Sequence, residues 1–134
     1  MHFCANVVCG PAGRSSGCLL RAGEIVQGLE LARSRRPSAR RDAELARGPA
    51  RLAQALAIGR EHNGAALEGG EFRLEPPPHR PASVLNGPRV GVAGAGGSAE
   101  YPWRFWLAGE PSVSAYRAAK PRTRARAAGD AVVR

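Results

Sequence analysis

The chain has 134 residues, a hydrophobic fraction of 43% and a formal net charge of +9. Apolar runs such as Cys18-Leu19-Leu20 are too short for a transmembrane helix, and no basic segment followed by an apolar one marks a secretory signal. The three cysteines are an odd number, which favours reduced thiols in a cytoplasmic protein over a disulfide framework. With 17 glycines and 11 prolines, we predict a modest ordered core within long irregular stretches.

The positive charge comes almost entirely from arginine. Of the 20 basic residues, only Lys120 is a lysine. Arginine binds phosphate through two parallel hydrogen bonds, so a nucleic-acid partner is one interpretation. The other is codon bias in a GC-rich genome, which would also raise the alanine, glycine and proline content. Charge alone leaves both interpretations open.

Two stretches near the N-terminus predict paired strands. Residues 2–9 predict a strand with Asn6 on its polar face. The other face of that strand carries three apolar side chains, Phe3, Ala5 and Val7. Residues 17–22 form a second run, with Leu19 and Arg21 on one face. The glycine-rich segment between the two runs predicts a hairpin, or two near neighbours in one sheet.

Three helices are predicted in the middle of the chain. The first covers residues 27–36 and is stopped by the proline that follows. Asp42 is a suitable N-cap for the second, which covers residues 43–47. The third begins at Pro49, because proline suits a first helical turn, and ends at Gly59, because glycine is a common C-terminal stop.

The remaining predicted elements are short. Three strand candidates are Glu71–Glu75, Val84-Leu85 and Arg89–Val92. Residues 94–97 are glycine-rich and predict a mobile loop. A fourth strand candidate has one buried face, which carries Trp103, Phe105 and Leu107. Beyond Tyr116 the chain is rich in arginine and alanine without an apolar period, which predicts a disordered tail.

Few residues offer catalytic chemistry. The spacings of cysteine and histidine match no zinc site, and the single lysine lies in the predicted tail, so neither metal nor Schiff-base chemistry is expected. Asn6 and Arg21 stand out because each is polar within an apolar strand, where an unpaired polar group is costly. The alternative is that both face solvent from the outer side of the sheet. The residues alone predict a small domain of helices and strands and no specific activity.

Several blocks of sequence together resemble the alkyladenine (3-methyladenine) DNA glycosylase family. The blocks are Met1–Val7, Leu19–Ala22, Gly28–Glu30, Arg47–Leu56, Pro88–Val92 and Pro102–Trp106. Their order and spacing match the family over residues 1–116, which we take as a partial glycosylase domain followed by a basic disordered tail, residues 117–134. The resemblance implies an α+β fold with a mixed, mainly antiparallel sheet and flanking helices.

The family resemblance implies a reaction and a set of site residues. The reaction is hydrolysis of the N-glycosidic bond of an alkylated purine flipped out of double-stranded DNA, with no cofactor. Arg21 and Val90 match the catalytic positions that hold the attacking water, the latter through its main-chain carbonyl. Asn6 matches the asparagine that disfavours guanine in the base pocket. Four further residues match positions at or near the DNA, namely Met1, His2, Arg89 and Gly91.

The resemblance also implies that a part of the family fold precedes Met1. In the family, the general-base glutamate, the aromatic that stacks on the flipped base and the wedge tyrosine all lie there. The acids of this chain, such as Glu24 and Glu30, match non-catalytic positions. We therefore expect a fragment that is inactive or catalytically crippled on its own, monomeric, free of membranes and associated with the bacterial nucleoid. The alternatives are a non-catalytic basic DNA-binding remnant and a largely disordered product of a broken gene.

Overall fold

The computed structural model describes residues 2–11, 13–14 and 16–119. Within them lie two short α-helices, four short strands and several single turns of 3-10 helix. The strands are β1 (Asn6–Val7), β2 (Cys18–Leu19), β3 (Val84–Gly87) and β4 (Arg104–Leu107), and the helices are α1 (Leu29–Arg35) and α2 (Pro49–Ala55). β1 pairs with β2, and β3 pairs with β4, in two short antiparallel sheets. The predicted α+β class is confirmed.

The chain divides into two compact units. The first comprises the described residues of 1–85 together with 106–115, and the second comprises 86–105 with the described residues that follow 115. No helix in the described part of the chain is long and apolar enough to span a membrane. The predicted tail lies largely outside the described residues, which stop at Ala119.

The predicted N-terminal hairpin is confirmed, although its paired part is short. Asn6 lies opposite Leu19, and Val7 lies opposite Cys18, in antiparallel register. The backbone N–H of Leu20 donates to the carbonyl of Ala5 at 3.0 Å and extends the pairing by one residue.

The core of the first unit lies where α1 meets α2. Its buried residues are mostly alanines, which let the two backbones approach closely, and are Ala32, Leu45, Ala46, Leu52, Ala53 and Ala55. The C-terminal ends of the helices are joined by polar contacts. Arg35 Nη1 donates to the Ala55 carbonyl at 3.0 Å, and Gln54 Nε2 donates to the Arg35 carbonyl at 2.8 Å. The first and third predicted helices are therefore present and packed together.

Asp42 does not cap a helix as predicted. It is the first residue of a 3-10 turn, Asp42–Glu44, and Arg41 occupies the N-cap position. The Asp42 carboxylate instead accepts hydrogen bonds from Arg33 Nε at 3.0 Å and Nη2 at 2.8 Å. Two bonds to a guanidinium are stronger than a single bond to a neutral backbone N–H, so the side chain turns towards α1.

Helix α2 begins at Pro49 as predicted, but it does not run to Gly59. It ends at Ala55, and Ala57 adopts the left-handed conformation at φ 54°. The N–H of Ile58 then donates to the Ala53 carbonyl at 2.7 Å, and the N–H of Ala57 donates to Gln54 at 3.1 Å. These two bonds form a Schellman motif, the arrangement that usually has glycine where Ala57 stands.

Two strand predictions for the C-terminal half are wrong. Residues 71–75 and 89–92 form no strand, and in the latter segment a turn at Val90-Gly91 with φ 72° at Gly91 breaks the extended backbone. The segment predicted as a mobile loop contains a 3-10 turn, Ala95–Gly97. The strands predicted at 84–85 and 103–107 are confirmed as β3 and β4.

The face of β4 that was predicted to be buried is exposed. Trp103 and Phe105 are 60% and 67% exposed, and Leu107 is 40% exposed. The half-buried residues of the strand are Arg104 and Trp106. Alternation gives the two faces of a strand correctly, but it does not say which face the rest of the chain covers.

Candidate functional site

The backbone around Arg21 is held on both sides. The N–H of Leu20 donates to the Ala5 carbonyl at 3.0 Å, before Arg21, and Ala22 forms an antiparallel bridge with Arg47, after it. The N–H of Gly23 then donates to the Ala46 carbonyl at 3.3 Å. Arg21 is therefore fixed between the β1–β2 hairpin and the segment that leads into α2.

The side chain of Arg21 is half-buried and has no hydrogen bond or ion pair with any described residue. Arg33 shows the contrast, since its guanidinium is engaged by Asp42 and Glu30. Those carboxylates raise the pKa of Arg33, first through the hydrogen bonds that Arg33 donates to Asp42. The guanidinium of Arg21 is not engaged by the described residues, and its donors are available for a ligand.

Asn6 lies in the β1–β2 hairpin, and Arg21 follows the hairpin directly. Residues directly opposite in an antiparallel pair share a face, so Asn6 shares a face with Leu19. Arg21 lies two residues beyond Leu19, after the end of β2. The hairpin therefore carries one predicted site residue and is followed at once by the other, and Asn6 is exposed.

Val90 and Gly91 form a turn of the second unit. The Val90 carbonyl accepts no hydrogen bond from the described residues, so it is available to a water or a ligand. Arg89 next to it donates through Nε and Nη2 to the Gly96 carbonyl, at 3.1 and 2.6 Å. Its guanidinium also lies 5.3 Å from the ring centroid of Trp103. The predicted DNA contact Arg89 therefore also holds the Gly96 turn in place.

The two remaining predicted DNA contacts lie at the N-terminus. His2 is exposed, and Met1 lies outside the described residues.

Arg47 is a residue that sequence reasoning missed. It is half-buried, its Nε has no hydrogen-bond partner among the described residues, and its Nη2 donates to the Val113 carbonyl at 3.3 Å. A buried guanidinium nitrogen without a partner is costly, and it is a donor that a bound water can satisfy. The only signal in the sequence is its place directly before the glycine and proline that start α2.

An open cavity of about 320 Å³ lies in the first unit. Its wall carries Glu24, Asp42 and Glu110 together with the apolar side chains of Ile25, Val26, Leu29 and Pro111. Carboxylates repel phosphate, so this cavity is not suited to bind a DNA backbone. Glu24 lies only three positions after Arg21 in the sequence but lines this cavity and is exposed.

Comparison with known proteins identifies the family. The sequence model of the methylpurine-DNA glycosylase family matches residues 1–111. A protein of Streptomyces avermitilis named as a 3-methyladenine DNA glycosylase is 56% identical over 92% of this chain and 59% of its own length. Relatives with the same name in Leifsonia xyli and Nocardia farcinica are 55% and 48% identical, over 87% and 100% of this chain.

The chain spans about three fifths of the length of these curated relatives, since it covers 59%, 56% and 61% of them. The family match begins at residue 1 and includes Asn6, Arg21 and Val90. The resemblance inferred from the separate blocks of sequence is confirmed: the chain belongs to the methylpurine-DNA glycosylase family.

Proposed function

We propose that the chain supplies the water-holding and base-selecting part of a DNA glycosylase that hydrolyses the N-glycosidic bond of alkylated purines such as 3-methyladenine. The observation that carries the proposal is the half-buried Arg21, whose guanidinium has no partner among the described residues and whose backbone is fixed just after the hairpin that carries Asn6. A rigid cation with free donors is what positioning a water requires.

The reaction breaks the bond between the purine nitrogen and C1′ of the sugar and joins C1′ to a water oxygen. An alkylated purine is already positively charged, so it leaves as a neutral base and needs little further activation. The guanidinium of Arg21 donates a hydrogen bond to the attacking water, and the Val90 carbonyl accepts one from it. Asn6 disfavours guanine, whose 2-amino group would clash with its side chain. No metal or other cofactor takes part.

We infer that none of the described acids serves as the general base. Glu30 is engaged in an ion pair with Arg33, and Glu24 lines the acidic cavity of the first unit. Removal of a proton from the water is therefore inefficient in this chain alone. We expect slow excision, far below the rate of the longer relatives.

The partner is double-stranded DNA with alkylated bases, bound by a monomer. The net charge of +9 favours contact with phosphate and supports an association with the nucleoid in the bacterial cytoplasm. In this proposal residues 1–116 form the glycosylase part, and the arginine-rich residues 117–134 add a basic extension.

The experiment is single-turnover excision of 3-methyladenine from a duplex oligonucleotide, with DNA affinity measured in parallel. Arg21→Ala should abolish excision and lower the affinity by less than about threefold, the effect of at most one phosphate contact. Arg51→Ala is the matched control, because Arg51 is an exposed arginine of α2, and should leave excision unchanged.

The other outcomes separate the alternatives. Binding to DNA without detectable excision would support a non-catalytic DNA-binding protein. Excision at the rate of the longer relatives would contradict the absence of a general base. A chain without a cooperative melt in circular dichroism would contradict both functional readings.

A further inference from the structure

The open cavity of the first unit is built by three separate segments of the chain. They are residues 24–29, which lead into α1, residues 42–43 of the 3-10 turn, and residues 110–112. The last segment is fixed in place, because the N–H of Val113 donates to the Glu110 carbonyl at 3.0 Å and Arg47 donates to the Val113 carbonyl at 3.3 Å. The wall of the cavity is therefore anchored on the side of Glu110.

Two of the three carboxylates in this wall have no partner. The carboxylate of Asp42 accepts hydrogen bonds from the guanidinium of Arg33 at 2.8 and 3.0 Å. The side chains of Glu24 and Glu110 form no hydrogen bond or ion pair with any described residue. Glu110 is half-buried, and a charge that is partly removed from water without a partner is costly. The two carboxylates therefore favour a cation in this cavity, in a chain whose net charge is positive.

Ser112 adds a neutral polar group to the same wall. The residue is 6% exposed, and its hydroxyl has no hydrogen-bond partner among the described residues. Buried hydroxyls are nearly always hydrogen-bonded, so one that belongs to a cavity wall and has no partner points to a bound molecule. An ammonium group carries three donors and no acceptor, and it can satisfy this hydroxyl and a carboxylate together.

The rest of the wall favours an organic cation over a metal ion. Ile25, Leu29 and Pro111 give the cavity an apolar surface, which favours contact with hydrocarbon. Within the described part of the chain, no three side chains of histidine, cysteine, aspartate or glutamate lie close enough together to hold a metal ion. The carboxylates of the cavity therefore lie apart, and they match a ligand whose positive charges are separated by a carbon chain.

We propose that this cavity is a binding site for an aliphatic polyamine, a linear carbon chain with an ammonium group at each end. One ammonium group donates to the Glu110 carboxylate and the Ser112 hydroxyl, and the other pairs with Glu24. The carbon chain lies against Ile25 and Leu29. The cavity volume of about 320 Å³ is at the lower end of the range of small-molecule sites, which suits a slender ligand. The proposal is independent of the proposed glycosylase activity.

The test is calorimetric titration of the full chain with putrescine and with spermidine, in the absence of DNA. Both should form a one-to-one complex, whereas butanediol, which has the carbon chain of putrescine without its charges, should not bind. Glu110→Gln should weaken the binding by about tenfold or more, the effect of losing a hydrogen bond to a charged group. Glu68→Gln is the matched control and should leave the Kd unchanged. Glu68 is an exposed glutamate of the same unit outside the cavity wall, and its replacement changes the net charge by the same amount.

A second variant separates a loss of binding from a loss of structure. Ser112→Ala removes only a hydroxyl that has no partner among the described residues, so the melting temperature of the unbound chain should not fall. The same variant should weaken polyamine binding by about threefold or more, the effect of one lost hydrogen bond.

Four results would overturn the proposal. The first is the absence of polyamine binding, and the second is an equal loss of affinity in Glu110→Gln and Glu68→Gln, which would assign the binding to net charge. The third is butanediol binding as tight as that of putrescine. The fourth is binding of Mg²⁺ alone that Glu110→Gln abolishes while polyamine binding is unaffected, which would assign the carboxylates to a metal ion.

Discussion

The helix pair and the strand β4 use their apolar residues in opposite ways. Between α1 and α2, alanines bring the backbones together, and Leu45 and Leu52 are buried against them. In β4 the aromatic Phe105 is larger than any of these side chains, yet it faces solvent. The comparison shows that the position of an apolar residue in the fold, and not its size, decides what it contributes to stability. The apolar side chains of the helix pair are buried within the chain, whereas the apolar side chains of β4 are exposed to solvent.

The largest effect is expected in the helix pair. Leu45 is 1% exposed, and Leu45→Ala should lower the free energy of unfolding by about 2–5 kcal/mol, the usual cost of a core cavity. Phe105→Ala, in spite of its greater loss of volume, should change the free energy by less than about 0.5 kcal/mol in the isolated chain. Urea titrations followed by circular dichroism measure both. If both variants lost the same free energy of unfolding, the distinction between the buried helix pair and the exposed strand β4 would be wrong.

A smaller effect is expected in the second unit. A Cβ at Gly97 would overlap the carbonyl group of Val92, so Gly97→Ala should cost about 1–3 kcal/mol through overpacking. At Gly70 the added Cβ would be 3.6 Å from the nearest atom, in ordinary contact, so Gly70→Ala serves as the control. Hydrogen exchange of the amides in residues 92–98 should accelerate only in the first variant. If the amides of residues 92–98 exchanged at the same rate in Gly97→Ala as in the wild type, the turn would tolerate a side chain at this position.

A stabilising change is predicted at the end of α2. Ala57 adopts a left-handed conformation at φ 54°, which is unfavourable for a residue with a Cβ. Ala57→Gly should relieve this cost and raise the free energy of unfolding by up to about 1 kcal/mol, offset in part by the greater freedom of the unfolded chain. Ala50→Gly within α2 should instead lower it by about 0.5–1 kcal/mol. A loss of melting temperature in Ala57→Gly would show that the Schellman motif does not form.

The smallest effect concerns acid stability in the helical region. The hydrogen bond from the Arg41 side chain, together with one from the Arg40 backbone, lowers the pKa of Glu44 below its ordinary value of 4.5. A lowered folded-state pKa stabilises the fold above the ordinary value, and this stabilisation is lost as the pH falls through the folded value. Glu44→Gln should therefore lower the melting temperature slightly at neutral pH and not in strong acid. Glu100→Gln, at an exposed position, should show no such difference.

Sequence reasoning succeeded where the determinants are local. Pro49 marks the start of α2 because the fixed φ of proline suits a first helical turn. The end of the same helix was missed, because it depends on Ala57 adopting a conformation that alanine rarely adopts. The strand predicted over residues 89–92 failed for a related reason, since the positive φ of Gly91 turns the chain.

For the candidate site, alternation was sufficient to set Asn6 and Arg21 apart from the apolar pattern of their segments, and the register of the hairpin pairs Asn6 with Leu19, two residues before Arg21. Their chemical roles came only from the family resemblance. Arg47 was missed because its hydrogen-bond partner, the Val113 carbonyl, is 66 positions away in the sequence, where no local pattern reveals it. The exposure of the Phe105 face of β4 was missed, because the alternation of residues along a strand identifies its two faces but does not show which face the rest of the chain covers.

The first unit is discontinuous in sequence, since residues 106–115 return to it after residues 86–105 of the second unit. The contact of Arg47 with Val113 closes a loop of 66 positions, which costs more chain entropy than any contact within the helix pair. During synthesis on the ribosome the helices α1 and α2 are complete long before Val113 is made. The helix pair is therefore expected to fold first, and the segment that fixes Arg47 joins it only after Val113 has been made.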